Sequence, residues 1–100
     1  MITPVIADNL PLIKTECEKH HVKELYVFGS AITDKFNEKS DVDFVVDFEG
    51  VDEKEFANNY FSLVEKLEHL LKRKVDFVTL KYLKNKFFIE QVNRTKVRLI

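Results

Sequence analysis

Three aspartates and a Gly-Ser pair are the residues of this chain whose types and spacing could do chemistry. In the stretch from Val27 to Val46, VFGSAITDKFNEKSDVDFVV, Asp41 and Asp43 alternate with Val42 and Phe44. On a strand, residues i and i+2 leave the same face, roughly 6–7 Å apart at Cα. Asp47 shares that face but lies about 13 Å from Asp43, too far to join a cluster. A third carboxylate can come from a neighbouring strand. Asp76, in the apolar segment VDFV, is the candidate, and it converges with Asp41 and Asp43 if the two strands lie side by side.

Such a cluster is unstable by itself. Two carboxylates about 5 Å apart repel by roughly 3 kcal/mol at an effective dielectric of 20. A third adds two more such terms, which together rival the whole stability of a small domain. Either protonation or a bound cation must relieve it. An all-oxygen donor set suits Mg²⁺ or Mn²⁺, which bind through a few carboxylates together with substrate phosphates.

Gly29-Ser30 follows an apolar run and supplies the complementary half of such a site. A glycine at a strand end lets backbone approach a ligand closely. A serine opening a short helical turn offers a hydroxyl and N–H groups to phosphate. A plain turn, with Gly29 for geometry and Ser30 as cap, is the simpler reading of the dipeptide alone. His20, His21 and His69 have no ligand spacing to the aspartates and read as surface or helix-end residues.

The elements that must hold these residues follow from pattern. Thr3-Pro4 reads as an N-cap with Pro at the first helical position. Val5, Ile6, Leu10, Ile13 and Cys17 then mark a helix to about His20, with a kink or a restart near Asn9 because of Pro11. Leu25–Phe28 is a short buried strand, residues 34–40 a polar loop, and Asp41–Phe48 an alternating strand. Asp52 and Glu55 resemble a capping box before a long helix carrying Phe56, Tyr60, Leu63, Leu67 and Leu71 on one stripe. Lys72-Arg73-Lys74 ends that helix in agreement with its dipole. Val75–Leu80 is a third strand, Phe87, Phe88 and Val92 mark a short helix, and Val97–Ile100 a final short strand. The order α-β-β-α-β-α predicts an α/β (α+β) fold, a small mixed sheet with helices packed against it.

Composition narrows the function classes. One hundred residues, 45% hydrophobic with nine Phe, suffice for one core and predict a single domain over 1–100. The lone Cys17 cannot form an intramolecular disulfide and reads as a buried structural thiol. No apolar run approaches a membrane span, and the first twenty residues lack a secretory pattern, so a cytoplasmic protein without membrane association is expected. A net charge of −1 argues against general nucleic-acid binding. The charge is uneven, however: residues 1–71 carry 7 Lys+Arg against 15 Asp+Glu, and residues 72–100 carry 9 against 2. The basic C-terminal third either meets an acidic partner or phosphate, or complements the acidic part of its own fold.

Taken together, Gly29-Ser30, ten intervening residues and Asp41-Val42-Asp43, each at a strand end, resemble the signature of the DNA polymerase β-like nucleotidyltransferases. The chain length and the later Asp76 strand are similar to the minimal nucleotidyltransferase branch. The resemblance spans residues 22–80. It implies that Asp41, Asp43 and Asp76 are catalytic metal ligands and that Gly29 and Ser30 bind the nucleotide phosphates. It further implies Mg²⁺- or Mn²⁺-dependent transfer of a nucleoside monophosphate, AMP from ATP, to a hydroxyl. The acceptor it suggests is a tyrosine on a helical HEPN toxin neutralised by this chain as antitoxin, in a homo- or hetero-oligomer. One departure stands out. Many relatives continue the Gly-Ser pair with a small residue, Arg and Gly, whereas Ala31-Ile32-Thr33 follows here. The departure favours a second reading, a catalytically silent fold that neutralises or scaffolds its partner by contact.

Overall fold

The computed structural model describes residues 2–100. Four strands form one mixed sheet: β1 (Val22–Phe28), β2 (Val42–Phe48), β3 (Val75–Val78) and β4 (Val97–Arg98), in the order β3-β2-β1-β4. β1 runs antiparallel to both β2 and β4, while β2 and β3 are parallel. A parallel pair needs a long crossover, and α3 (Phe56–Leu71) provides it. The predicted order of elements holds.

Several boundaries differ from expectation for local reasons. The N-terminal helix is divided into α1 (Pro4–Ala7) and α2 (Leu10–Lys19), with the restart at Asn9 that Pro11 demands. β1 starts three residues earlier than its most apolar core, because Val22 already pairs with Phe48. Asp52 caps not α3 itself but a preceding 3-10 turn, Glu53–Glu55, by accepting from the Lys54 N–H at 3.0 Å. β3 ends at Val78, since the chain turns into another 3-10 segment at Leu80–Tyr82. The last strand is shortened to two residues and follows α4 (Lys86–Thr95) directly.

The alternation of β2 divides the core. Val42, Phe44 and Val46 face Ile6, Ile13 and Cys17 of the N-terminal helices and Leu63, Leu67 and Leu71 of α3, all buried. On the other face Val45 packs with Phe28 and with Val92 of α4, beside the half-buried Tyr26, Val78 and Leu80. Burial, followed by the nearby Glu16 charge, pushes the Cys17 thiol up to about 12, as expected of an inert structural cysteine.

His20 departs from the surface role its sequence suggested. It ends α2, yet it is buried, with Nδ1 2.7 Å from the Glu16 carbonyl and Nε2 3.0 Å from Ser62 Oγ. A carbonyl only accepts, so Nδ1 donates to it, and Nε2 shares a hydrogen bond with the serine hydroxyl. The pair ties α2 to α3. With only two glycines in the chain, His21 and Lys72 take the left-handed conformation themselves, at φ 61° and 57°. Lys72 thereby closes α3, its N–H reaching the Glu68 carbonyl at 2.8 Å.

Candidate active site

The register of the sheet brings the aspartates to one end and one face. Asp43 pairs with Phe28 on β1 and with Asp76 on β3, so the two carboxylates are direct neighbours across adjacent parallel strands, about 4.8 Å apart in backbone spacing. Both leave the face that α4 partly covers. Asp41 lies just before β2 and is exposed; Asp43 is half-buried and Asp76 exposed. Asp47, on the same face but further along β2, is drawn off to Lys81 at 3.8 Å. The convergence of Asp76 on Asp43, conditional in the sequence, is thus made by strand order.

Electrostatics follow from this geometry. Burial raises the Asp43 carboxyl above the ordinary range, and the charges of Asp76 and then Asp41 raise it further. Burial and then Asp76 likewise raise the Tyr60 phenol, which packs edge-on to Phe77. Among the described residues no three Asp, Glu, His or Cys side chains stand together tightly enough to hold a metal ion as oriented. The donors themselves are all carboxylate oxygens on adjacent positions, which fits a hard divalent cation.

Gly29 fits closely against this pair. Its φ is +74°, and a Cβ placed there would stand 2.5 Å from Asp43 Oδ2. Both the backbone conformation and the approach of the carboxylate therefore demand glycine. Gly29–Ile32 forms a 3-10 turn in which the Ser30 carbonyl accepts from the Thr33 N–H at 3.0 Å and from Thr33 Oγ1 at 2.9 Å. The Ala31 carbonyl accepts from the Thr3 N–H at 3.1 Å, so the N-terminal segment braces the turn from behind.

One organising residue went unread in the sequence. Arg73 appears there only as a helix-end charge. In the fold its Nη1 donates to the carbonyls of Asn37 and Ser40, both at 3.0 Å, and its guanidinium lies 4.5 Å from the Phe36 ring centre. It holds the loop that delivers Asp41. Nothing short of the loop's position could have shown this.

Comparison with known proteins agrees with this architecture. The family described as "Polymerase beta, Nucleotidyltransferase" matches residues 12–100. The chain belongs to the polymerase beta nucleotidyltransferase family. Within it, the chain is 36% identical over 70 residues to "Putative protein adenylyltransferase MJ1379" of Methanocaldococcus jannaschii, covering 70% of this chain and 69% of the relative. A solved "Structure of putative minimal nucleotidyltransferase" superposes with a TM-score of 0.77 at 29% identity, over 97% of this chain and 95% of that one. A "Crystal structure of the toxin-antitoxin with AMP-PNP" shares the fold at a TM-score of 0.71 and 23% identity, over 92% of this chain and 73% of that one. The chain is thus a minimal member of this nucleotidyltransferase family, with the small mixed sheet expected of it. Among the described residues no helix is long and apolar enough to cross a membrane.

Proposed function

We propose that this chain transfers a nucleoside monophosphate, AMP from ATP, to a hydroxyl of a partner protein. The pairing of Asp43 with Asp76 beside Gly29 is the observation that carries the reading. Asp41, Asp43 and Asp76 would hold Mg²⁺ or Mn²⁺, and Gly29 and Ser30 would hold the triphosphate. Cations held by these carboxylates would supply neutralisation of the developing phosphate charge. The acceptor oxygen forms a bond to the α-phosphorus as the bond to pyrophosphate breaks, and the hydroxyl proton passes to a carboxylate oxygen of Asp76. Asp43, buried furthest, fixes the position of the reacting phosphate, while exposed Asp76 faces the side from which an acceptor arrives.

The relative that bears the name of a protein adenylyltransferase supports a protein acceptor. The fold neighbour solved as a toxin-antitoxin with AMP-PNP is in keeping with ATP and a toxin partner; that the toxin is a helical HEPN protein is what the family resemblance adds to the proposal. The C-terminal third carries 9 Lys+Arg against 2 Asp+Glu, most of the basic side chains exposed, a charge suited to an acidic partner.

A second reading has one specific observation in its favour. Ile32, at the position where many relatives carry arginine, packs against the core instead of reaching for phosphate. The turn then lacks a bidentate phosphate ligand, and the chain would silence its partner by contact alone.

Labelled ATP, Mg²⁺ and the protein encoded by the neighbouring open reading frame decide between them. Transfer predicts a label on a partner hydroxyl, lost by several orders of magnitude in Asp76→Asn while nucleotide binding persists. A silenced but unlabelled partner would establish the contact reading.

A further inference from the structure

Among the described residues Phe87 is the most exposed large apolar side chain, at 79%. Its neighbour Phe88 is 37% exposed, and both belong to the first turn of α4. That turn stands beside the aspartates. The Phe88 ring packs edge-on against Phe28, 6.2 Å between centres, and Phe28 is the register partner of Asp43. We propose that Phe87 and Phe88, flanked by Lys84 and Lys86, form the docking surface for the partner protein, which presents to them an apolar pocket rimmed by carboxylates. For the partner's role as acceptor the inference rests on the nucleotidyl-transfer reading above; it adds an anchor outside the residues that hold metal and phosphate.

The fold fixes these rings without covering them. Asn85 caps α4, its Oδ1 accepting from the Phe88 N–H at 3.1 Å. Phe88 leans on Phe28, which shares a small core with Val45 and Val92. Phe87, on the same braced turn, is left to solvent. An aromatic ring on a fixed turn loses little freedom on binding, and such rings are the usual anchors of protein interfaces.

Charge selects the occupant. From residue 81 to 98 the chain carries Lys81, Lys84, Lys86, Arg94, Lys96 and Arg98 against Glu90 alone. Part of this charge serves the fold itself: Lys81 reaches Asp47, Arg98 reaches Glu24, and Lys96 lies over the Tyr26 ring. Among the described residues Lys84, Lys86 and Arg94 form no ion pair, and all three are exposed. Lys84 and Lys86 precede Phe87 closely, and Arg94 lies two helical turns on, along the same side of α4. An acidic protein face answers them. A single-stranded nucleic acid would also offer stacking and negative charge. The row Phe28–Asp43–Asp76, however, spans only two strand spacings, roughly 10 Å, which keeps carboxylates within about a Debye length of the patch. Nucleic acid carries a phosphate at every nucleotide and cannot leave that side uncharged. A folded protein can set its carboxylates over Lys84 and Lys86 and turn a neutral hydroxyl toward Asp76.

Calorimetric titration of the full chain with the protein encoded by the neighbouring open reading frame tests the surface without requiring transfer. Phe87→Ser is expected to weaken binding about tenfold. Lys84→Glu together with Lys86→Glu should weaken it too and flatten its dependence on salt. Phe87, Lys84 and Lys86 are exposed, so these variants keep their core, and their melting temperatures check it. Phe61→Ser removes another exposed ring, on α3, and should bind as the wild type does. In the labelling assay Phe87→Ser should raise the KM for the partner by the same factor. If the Phe87 and lysine variants bind the partner as the wild type does, or if the wild type does not bind it, the docking surface is wrong whatever the labels show. If the wild type binds through Phe87 yet labels nothing, the surface stands and the transfer reading falls. An oligo-dT strand that outcompetes the partner and loses its affinity in Phe87→Ser would overturn the proposal in favour of nucleic acid.

Discussion

Asp43 and Asp76 are register partners on adjacent parallel strands, and Asp43 is held there half-buried with its carboxyl raised above the ordinary range. The arrangement favours the protonated carboxyl in the folded chain. A group whose folded pKa exceeds its unfolded one contributes stability that is present below the unfolded value and lost as pH rises through the folded one. Asp43→Asn should therefore match the wild type in acid and become the more stable of the two as the pH rises. Urea denaturation between about pH 3 and 8 measures this. A loss above about 2 kcal/mol at neutral pH would instead give Asp43 a structural role.

Cations should reverse the sign of that effect. A ligand that binds only the folded chain raises its melting temperature. Mg²⁺ or Mn²⁺ with a triphosphate should stabilise the wild type and leave the Asp41→Asn, Asp43→Asn double variant unmoved. An undiminished thermal shift in the double variant would dissociate these aspartates from metal binding.

Gly29→Ala separates backbone strain from the carboxylate contact. The positive φ alone costs an alanine about 1–2 kcal/mol, and the clash with Asp43 Oδ2 adds to it. In an Asp43→Ala background only the backbone part should remain. The double-mutant cycle should show a coupling of at least about 0.5 kcal/mol; strict additivity would mean the two residues do not press on each other.

Arg73→Ala should cost about 1–2 kcal/mol, from two lost hydrogen bonds and the stacked guanidinium. Arg73→Lys should recover only part of this, because one nitrogen, Nη1, serves both carbonyls and an ammonium can imitate that, whereas the planar guanidinium over Phe36 is lost. Hydrogen exchange should quicken at Lys39 and Ser40 in both variants. Unaltered exchange there would show that the loop holds itself, through the contacts of Asn37 with Ser40 and Lys39.

Much of this protein was fixed by local pattern. Alternation along Val42–Phe48 put the aspartates opposite Phe44, since strand side chains have a period of two and one face had to be buried. The apolar stripe of α3 and the Pro11 restart were legible for similar reasons: each is a short-range consequence of helix geometry. Gly29-Ser30 and Asp41-Val42-Asp43 could be located because both stand at strand ends. Strand order, by contrast, is a long-range choice. Only the β2–β3 pairing makes Asp76 the neighbour of Asp43 rather than of Asp41 or Asp47. Only the approach of β1 to β2 shows why Gly29 tolerates no Cβ. The burial of His20 against Ser62, the grip of Arg73 on the loop and the packing of Phe88 on Phe28 join segments tens of residues apart. No periodicity encodes such contacts, because they depend on which faces the packed elements present to one another.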